Sequence, residues 1–277
     1  MACDDDDTDD TPRLPSPPRA ASFNPVEWGI DPAKMGKKPS APRRGAGSAT
    51  VIGAEDRMQI GVTDADPWRL ICSLVRHRNG IARPAGTGTL IGPRLVLTAG
   101  HCLIDDPDEI EVIPGRSAGS DPPFGSHRIK PAGFRIHPAY AGNRREDRDA
   151  GALILDRPFD GIDTWFEVAD RPDDDLIDWY ISIAGYPEVR PKADVFDPHY
   201  DRGDELWFHS NAITATRPRE LHYEADTTAG QSGSSVWLYD DNRPTVVGIH
   251  AYGSRRKNFA TRIDDDMIGE IRSWSTN

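Results

Sequence analysis

Three polar residues stand at the ends of apolar runs in this chain, in the order His, Asp, Ser. His101 lies at the end of RLVLTAGHC, Asp149 opens DAGALIL, and Ser232 sits inside TTAGQSGSSVW. Each alone has an ordinary structural explanation: a hydrogen-bonded histidine, a turn acid, a loop serine. Together they supply what acyl transfer requires, a nucleophile, a base to take its proton and an anion to orient that base. The glycines around the serine sharpen the pattern. In Gly230-Gln231-Ser232-Gly233-Ser234 the backbone N–H groups of Gly230 and Ser232 can both point at the oxygen that turns negative in a tetrahedral intermediate. Gly230, without a Cβ, allows the sharp turn this needs. Neighbouring residues compete for two of the roles, Asp147 for the acid and Ser234 or Ser235 for the nucleophile. Asp149 is preferred because D-x-G-A-L puts it at a strand start, and Ser234 would lose the glycine two residues upstream.

The elements that must position these residues read as short strands. The clearest runs are 70–75, 88–91, 94–99, 109–113, 151–155, 179–185, 221–225, 234–239 and 245–252, punctuated by Gly, Pro, Asp and Asn clusters. Many short strands with turn signals between them predict a sandwich or a pair of barrels. Only DDDMIGEIRSW (264–274) reads as a helix, with Met267, Ile268, Ile271 and Trp274 at helical spacing and acids at its start. The class expected is all-β with one C-terminal helix.

Composition narrows the function. The 277 residues include 37% AVILMFWYC, enough for a sizeable core, and no run approaches the length needed to span a membrane as a helix. A net charge of −12 argues against binding nucleic acid by phosphate neutralisation. Residues 1–50 differ from the rest: an acidic block, a proline-rich stretch and KKPSAPRRGAGSA, with few apolar residues, predict a disordered segment. Seven basic and eight acidic residues lie there, so the negative charge belongs to residues 51–277. The three cysteines, Cys3, Cys72 and Cys102, form no disulfide framework and no CxxC pair, and no cofactor or metal is expected. MACDDDDTDD offers neither a basic n-region nor an apolar h-region, so no signal peptide is expected.

The order His…Asp…Ser excludes the α/β-hydrolases, whose order is Ser…Asp/Glu…His and whose GxSxG is not completed here. T-A-G-H-C and G-Q-S-G-S resemble the histidine and serine motifs of chymotrypsin-like serine proteases. VIGAEDRMQI (51–60), GTGTLIGPRLVLTAGHC (86–102), AGYP (184–187), DTTAGQSGS (226–234), VGIH (247–250) and ATRI (260–263) resemble, more narrowly, the bacterial glutamyl endopeptidase branch. The resemblance implies two perpendicular six-stranded β-barrels over 51–277, with the site between them and residues 1–50 as a propeptide. It makes His101 the general base, Asp149 its orienting acid and Ser232 the nucleophile, with Gly230 and Ser232 as the oxyanion hole. It also implies protein or peptide substrates, a monomer, and export. The cysteine that often pairs with the one after the histidine is replaced by Gly86, leaving Cys102 free or bonded to Cys72.

Specificity is read two ways. Thr227 and His250 match the pocket positions of glutamyl endopeptidases, and the resemblance brings the Val51 amine, freed by cleavage, to the same pocket. Cleavage after Glu, then Asp, is the expectation. Asp226, six positions before Ser232, stands where trypsin-like enzymes carry the acid that selects Arg or Lys. In many relatives a new N-terminal amine pairs with an acid just before the serine; Gln231 rules out that ion pair. The readings set against the active protease are a catalytically silent protease-fold module and, less suited to the strand-rich pattern, an esterase.

Overall fold

The computed structural model describes residues 57–188, 203–240, 243–254 and 257–275; residues 1–56, with Val51 and the segment read as a propeptide, lie outside them. Seven strands form one sheet: β2 (Ile71–Arg78), β3 (Ile81–Gly92), β4 (Leu95–Thr98), β5 (Glu109–Pro114), β6 (His127–Ile129), β7 (Phe134–Ile136) and β8 (Gly151–Ile154). Their order is β6-β5-β2-β3-β4-β8-β7, a curled half-barrel. The second sheet contains β1 (Met58–Ile60), β9 (Glu167–Val168), β10 (Tyr180–Gly185), β11 (Leu206–Arg217), β12 (Glu220–Tyr223), β13 (Ser235–Asp240), β14 (Arg243–Ser254) and β15 (Lys257–Arg262). Its path β11-β10-β13-β14-β15-β12 returns to β11, which closes a six-stranded barrel; β1 hangs on β11 and β9 on β14. The fold is therefore the all-β, chymotrypsin-like one the sequence predicts, with one barrel closed and its counterpart a curled sheet.

Both lobes are held by apolar faces turned inward. Ile181, Ile183, Ile213, Leu221, Tyr223, Val236 and Val247 fill the closed barrel. A larger cluster runs from Ile71, Leu74, Leu90 and Val96 of the first sheet to Phe208, Trp237 and Ile249 of the second. Trp68 and Phe208 meet edge to face at 5.3 Å, and Phe166 meets Trp237 in the same way at 5.4 Å, so an aromatic seam joins the lobes. The C-terminal helix, α2 (Asp265–Ser275), follows a short helix α1 (Pro138–Asn143) in chain order. Met267, Ile271 and Trp274 of α2 are buried, and the Asp264 carboxylate accepts the Met267 N–H at 2.8 Å as a cap. Arg148, itself buried, pairs with Asp264 at 2.8 Å and Asp266 at 3.2 Å. The start of the helix is thereby tied to the turn that carries Asp149.

Candidate active site

Strand register brings the first two residues together. In the antiparallel pair β4–β8, Thr98 at the end of β4 lies opposite Gly151 at the start of β8. The chain leaving β4 and the chain entering β8 must then run side by side. His101 sits in the 3-10 turn Gly100–Leu103 just after β4, and Asp149 two residues before β8. Gly100 is required for this approach, since a Cβ there would stand 2.8 Å from the Tyr140 ring, 3.0 Å from the Ala150 carbonyl and 3.1 Å from Asp149 Oδ1.

Asp149 holds His101 twice. The backbone N–H of His101 donates to Oδ1 at 2.8 Å, and Nδ1 lies 2.6 Å from Oδ2. The carboxylate is fully buried while the imidazole is 26% exposed, so one edge of the ring still reaches the cleft. Burial works against the imidazolium, and the Cys102 side chain and the Asp149 carboxylate outweigh it, so the proton affinity of His101 is raised. Burial, with the Tyr140 hydroxyl and the Asp149 carboxylate nearby, pushes the pKa of the Tyr252 hydroxyl far up. Its ring lies 5.7 Å from that of His101, aimed there by a bulge in β14 between His250 and Tyr252. Asp147, the competing acid, is engaged elsewhere: it pairs with Arg145 at 2.7 Å and Arg219 at 3.7 Å, and the Arg145 bond lowers its pKa.

Ser232 is delivered from the other lobe. The loop 226–234 before β13 is fastened to β3 by Thr87, whose N–H donates to the Ser232 carbonyl at 2.8 Å and whose hydroxyl donates to the Gly230 carbonyl at 3.0 Å. The Cys102 thiol faces the same Ser232 carbonyl at 3.6 Å, which sets the serine backbone against the turn of His101. Ser232 is half-buried, whereas Ser234 and Ser235 are buried in the barrel. Of these three serines Ser232 alone is partly exposed, and its backbone stands beside the turn that carries His101. Gly230 has φ +95°, and a Cβ on it would fall 2.1 Å from the Glu188 nitrogen. The Glu188 N–H instead donates to the Ala229 carbonyl at 2.5 Å. Three further amides of the loop are engaged: Gln231 N–H donates to Thr228, Gly233 N–H to His250 and Ser234 N–H to Gln231. The N–H groups of Gly230 and Ser232 make no such bond among the described residues.

Around this centre lie the residues read as specificity determinants. His250 is fully buried on β14; its Nδ1 is 2.5 Å from the Tyr223 hydroxyl, and Nε2 has no well-formed partner among the described residues. Burial, the charge of His101 and, in the opposite sense, the Phe259 backbone bring its pKa down to about 3. Thr227 is also fully buried, with a hydroxyl that has no hydrogen-bond partner there. Asp226 is buried beside it and its N–H donates to His209 at 2.7 Å. Cys72 and Cys102 are both free and buried. A Cβ on Gly86 would come 2.6 Å from Cys102 Sγ, so position 86 does face Cys102 but carries no thiol.

Two groups escape sequence reasoning, Arg57 and the Tyr223–Tyr252 pair of hydroxyls. Arg57 Nη1 donates to Thr228 Oγ1 at 2.7 Å and to Gln231 Oε1 at 2.6 Å, bonds that reach across more than 170 residues of chain. No local pattern marks an arginine for such a partner. The tyrosines sit in strands where aromatics are ordinary, and only the tertiary structure shows what their hydroxyls touch.

The chain is 29% identical over 245 residues to a glutamyl endopeptidase of Bacillus licheniformis, covering 82% of this chain and 70% of the relative. It is 26% identical over 235 residues, with the same coverage, to a Bacillus subtilis protein named an extracellular metalloprotease. Among the described residues no group of three or more His, Cys, Asp or Glu is assembled that could hold a metal ion. The fold matches a Glu endopeptidase solved in complex with MPD, at TM-score 0.68 and 22% identity, over 82% of this chain and 100% of that one. Residues 62–266, most of the chain and a span that includes His101, Asp149 and Ser232, match the trypsin family, and to that family of serine proteases the chain belongs.

Proposed function

We propose that this serine endopeptidase cleaves peptide bonds through an acyl-enzyme, with His101 as general base, Asp149 as its orienting anion and Ser232 as nucleophile. The observation that carries the reading is the double hold of the buried Asp149 on His101, at 2.8 and 2.6 Å. It fixes the proton on Nδ1 and leaves Nε2 as the basic edge toward the cleft. Ser232 gives its proton to Nε2 as Oγ attacks the scissile carbonyl. The carbonyl oxygen then becomes an anion, and the unclaimed N–H groups of Gly230 and Ser232 are the donors for it. His101 returns the proton to the leaving amine, and water repeats the sequence on the ester.

For specificity the reading is cleavage after Glu, with Asp slower, by Thr227, His250 and the amine of Val51. Two fully buried polar side chains support it: neither Thr227 Oγ1 nor His250 Nε2 makes a well-formed hydrogen bond among the described residues. Such atoms cost stability unless a ligand uses them. In this reading the Tyr223 hydroxyl donates to Nδ1, so the ring proton is on Nε2 and can be donated to a carboxylate. The Val51 amine depends on removal of residues 1–50, and N-terminal sequencing of active protein is expected to read Val-Ile-Gly-Ala. Peptide libraries test the preference. His250→Ala is expected to cost at least ~10²-fold more in kcat/KM on P1-Glu than on P1-Leu substrates. Cleavage after Arg or Lys, lost in Asp226→Ala, would put a basic-specific pocket in its place; absence of fluorophosphonate labelling would indicate a silent module.

A further inference from the structure

Arg57 is buried, charged and bonded to the loop that carries the oxyanion donors, yet no step above uses it. Its place is fixed from one side by strand pairing. The next residue, Met58, begins β1 and lies opposite Phe208 of β11, with Gln59 opposite Trp207. The guanidinium sits over the Trp207 ring, 5.8 Å from its centroid. From this anchored strand it reaches Thr228 and Gln231, the residues that flank Ala229 and Gly230.

The bonds close a ring. Gln231 Oε1 accepts from Arg57 at 2.6 Å and from the Thr228 N–H at 3.0 Å, while the Gln231 N–H donates to the Thr228 carbonyl at 3.1 Å. Gln231 is fully buried and uncharged, so no water can replace the guanidinium as donor. What the ring encloses is the Ala229–Gly230 peptide. Its carbonyl is turned to the Glu188 N–H at 2.5 Å, and in a trans peptide the N–H of Gly230 must then point the opposite way. Were that peptide to rotate, a carbonyl would replace a donor at the site of the developing anion.

We propose that Arg57 is a positioning residue for the oxyanion hole: by clamping Thr228 and Gln231 it holds the Gly230 N–H in its donating orientation. This makes the segment just before β1 part of the catalytic apparatus without touching substrate. The proposal rests on the reading of Gly230 and Ser232 as oxyanion donors, and the test separates the two.

The test uses the purified, processed enzyme and a peptide aldehyde, whose adduct with the serine carries an oxygen in the oxyanion position. The Arg57→Met variant is expected to lose ~10²-fold in kcat with KM within about threefold, the scale of removing one oxyanion donor. Aldehyde affinity should fall in step with kcat/KM, the acid limb of the pH profile should stay in place, and Arg57→Lys should recover part of the loss. Active-site titration keeps a fall in active fraction from passing for a fall in kcat. Thr228→Val, which removes one acceptor at nearly constant volume, is expected to give a milder version of the same pattern and serves if Arg57→Met does not fold. A kcat within threefold of the parent, or a loss confined to the number of titratable sites, overturns the clamp. A parent enzyme indifferent to the aldehyde overturns the oxyanion reading instead.

Discussion

Asp149→Asn replaces one acceptor oxygen with an NH2 group where the structure has room only for acceptors. Oδ1 takes the His101 N–H at 2.8 Å and Oδ2 faces Nδ1 at 2.6 Å. An asparagine can satisfy one of these with its oxygen and must present its donor to the other. Keeping the backbone bond sets NH2 against Nδ1, which then has to be the acceptor, so the ring proton moves to Nε2. That nitrogen can no longer take the proton of Ser232. The position is fully buried, so water cannot relieve the mismatch. A triad histidine held in the wrong tautomer loses about 10⁴ in kcat, equivalent to about 5.4 kcal/mol of transition-state stabilisation. The assay is kcat on a peptide amide, normalised by active-site titration, with thermal unfolding to show that the fold persists. A kcat within tenfold of the parent, or a larger loss in Asp147→Asn, would refute the assignment.

Three further outcomes follow from the same geometry. Ser232→Ala is expected to bring turnover near background with little change in Tm, because a half-buried loop hydroxyl contributes little to stability; loss in Ser234→Ala with retention in Ser232→Ala would move the nucleophile. Gly230→Ala is expected to lower kcat by at least ~10²-fold, since a methyl at φ +95° and 2.1 Å from the Glu188 nitrogen forces the loop aside; parent-like kinetics would show that the hole lies elsewhere. The acid limb of kcat/KM is expected above the ordinary histidine value of about 6.5, because the base must be neutral and His101 holds its proton more tightly than usual; a limb at or below 6.5 would contradict that balance of charges.

How much of this was legible in the sequence depends on what each residue touches. Runs such as 151–155 and 179–185 are apolar and buried, and they appear as β8 and β10 within a residue or so. The twelve-residue β11 is not legible in the sequence because His209, Ser210 and Asn211 interrupt its apolar pattern. In the barrel these are not loop residues: Ser210 donates to the Ile181 carbonyl at 2.8 Å, and His209 accepts the Asp226 N–H. β15 was hidden likewise, its Asn258 and Arg262 being buried polar groups bonded to Ala225 and Asp173. A polar residue satisfied by tertiary contacts looks, in the sequence, like a turn. The chemistry-bearing trio is easier to read because each member sits beside small residues that local geometry demands. Gly100, Gly230 and Gly233 all lie where a Cβ would collide, so the histidine and serine carry their glycines as a local signature. Arg57 has no such signature, since its partners are set by the β1–β11 pairing.

The charge of the proposed specificity pocket gives a last test. There a P1 carboxylate meets the Thr227 hydroxyl, the His250 imidazole and the Val51 amine. Burial and the charge of His101 bring His250 down to about 3, so its ring is neutral and offers an N–H rather than a positive charge. Neutral donors can orient a carboxylate, but they offer little to choose an ionised Glu over an uncharged Gln of the same shape. That preference must come from the amine. An α-amine titrates ordinarily at about 7.7–8.0, and a carboxylate beside it raises the value. The ratio of kcat/KM for P1-Glu over P1-Gln is therefore expected to be flat from about pH 6 to 7.5 and to fall beyond about pH 8, as the amine loses its proton. Carbamylating the amine should lower the ratio throughout and abolish the step. A step centred near 6.5 would assign the positive charge to His250 after all. A ratio indifferent to both pH and carbamylation would put the amine outside the pocket, leaving Thr227 and His250 to select Glu by hydrogen bonds alone.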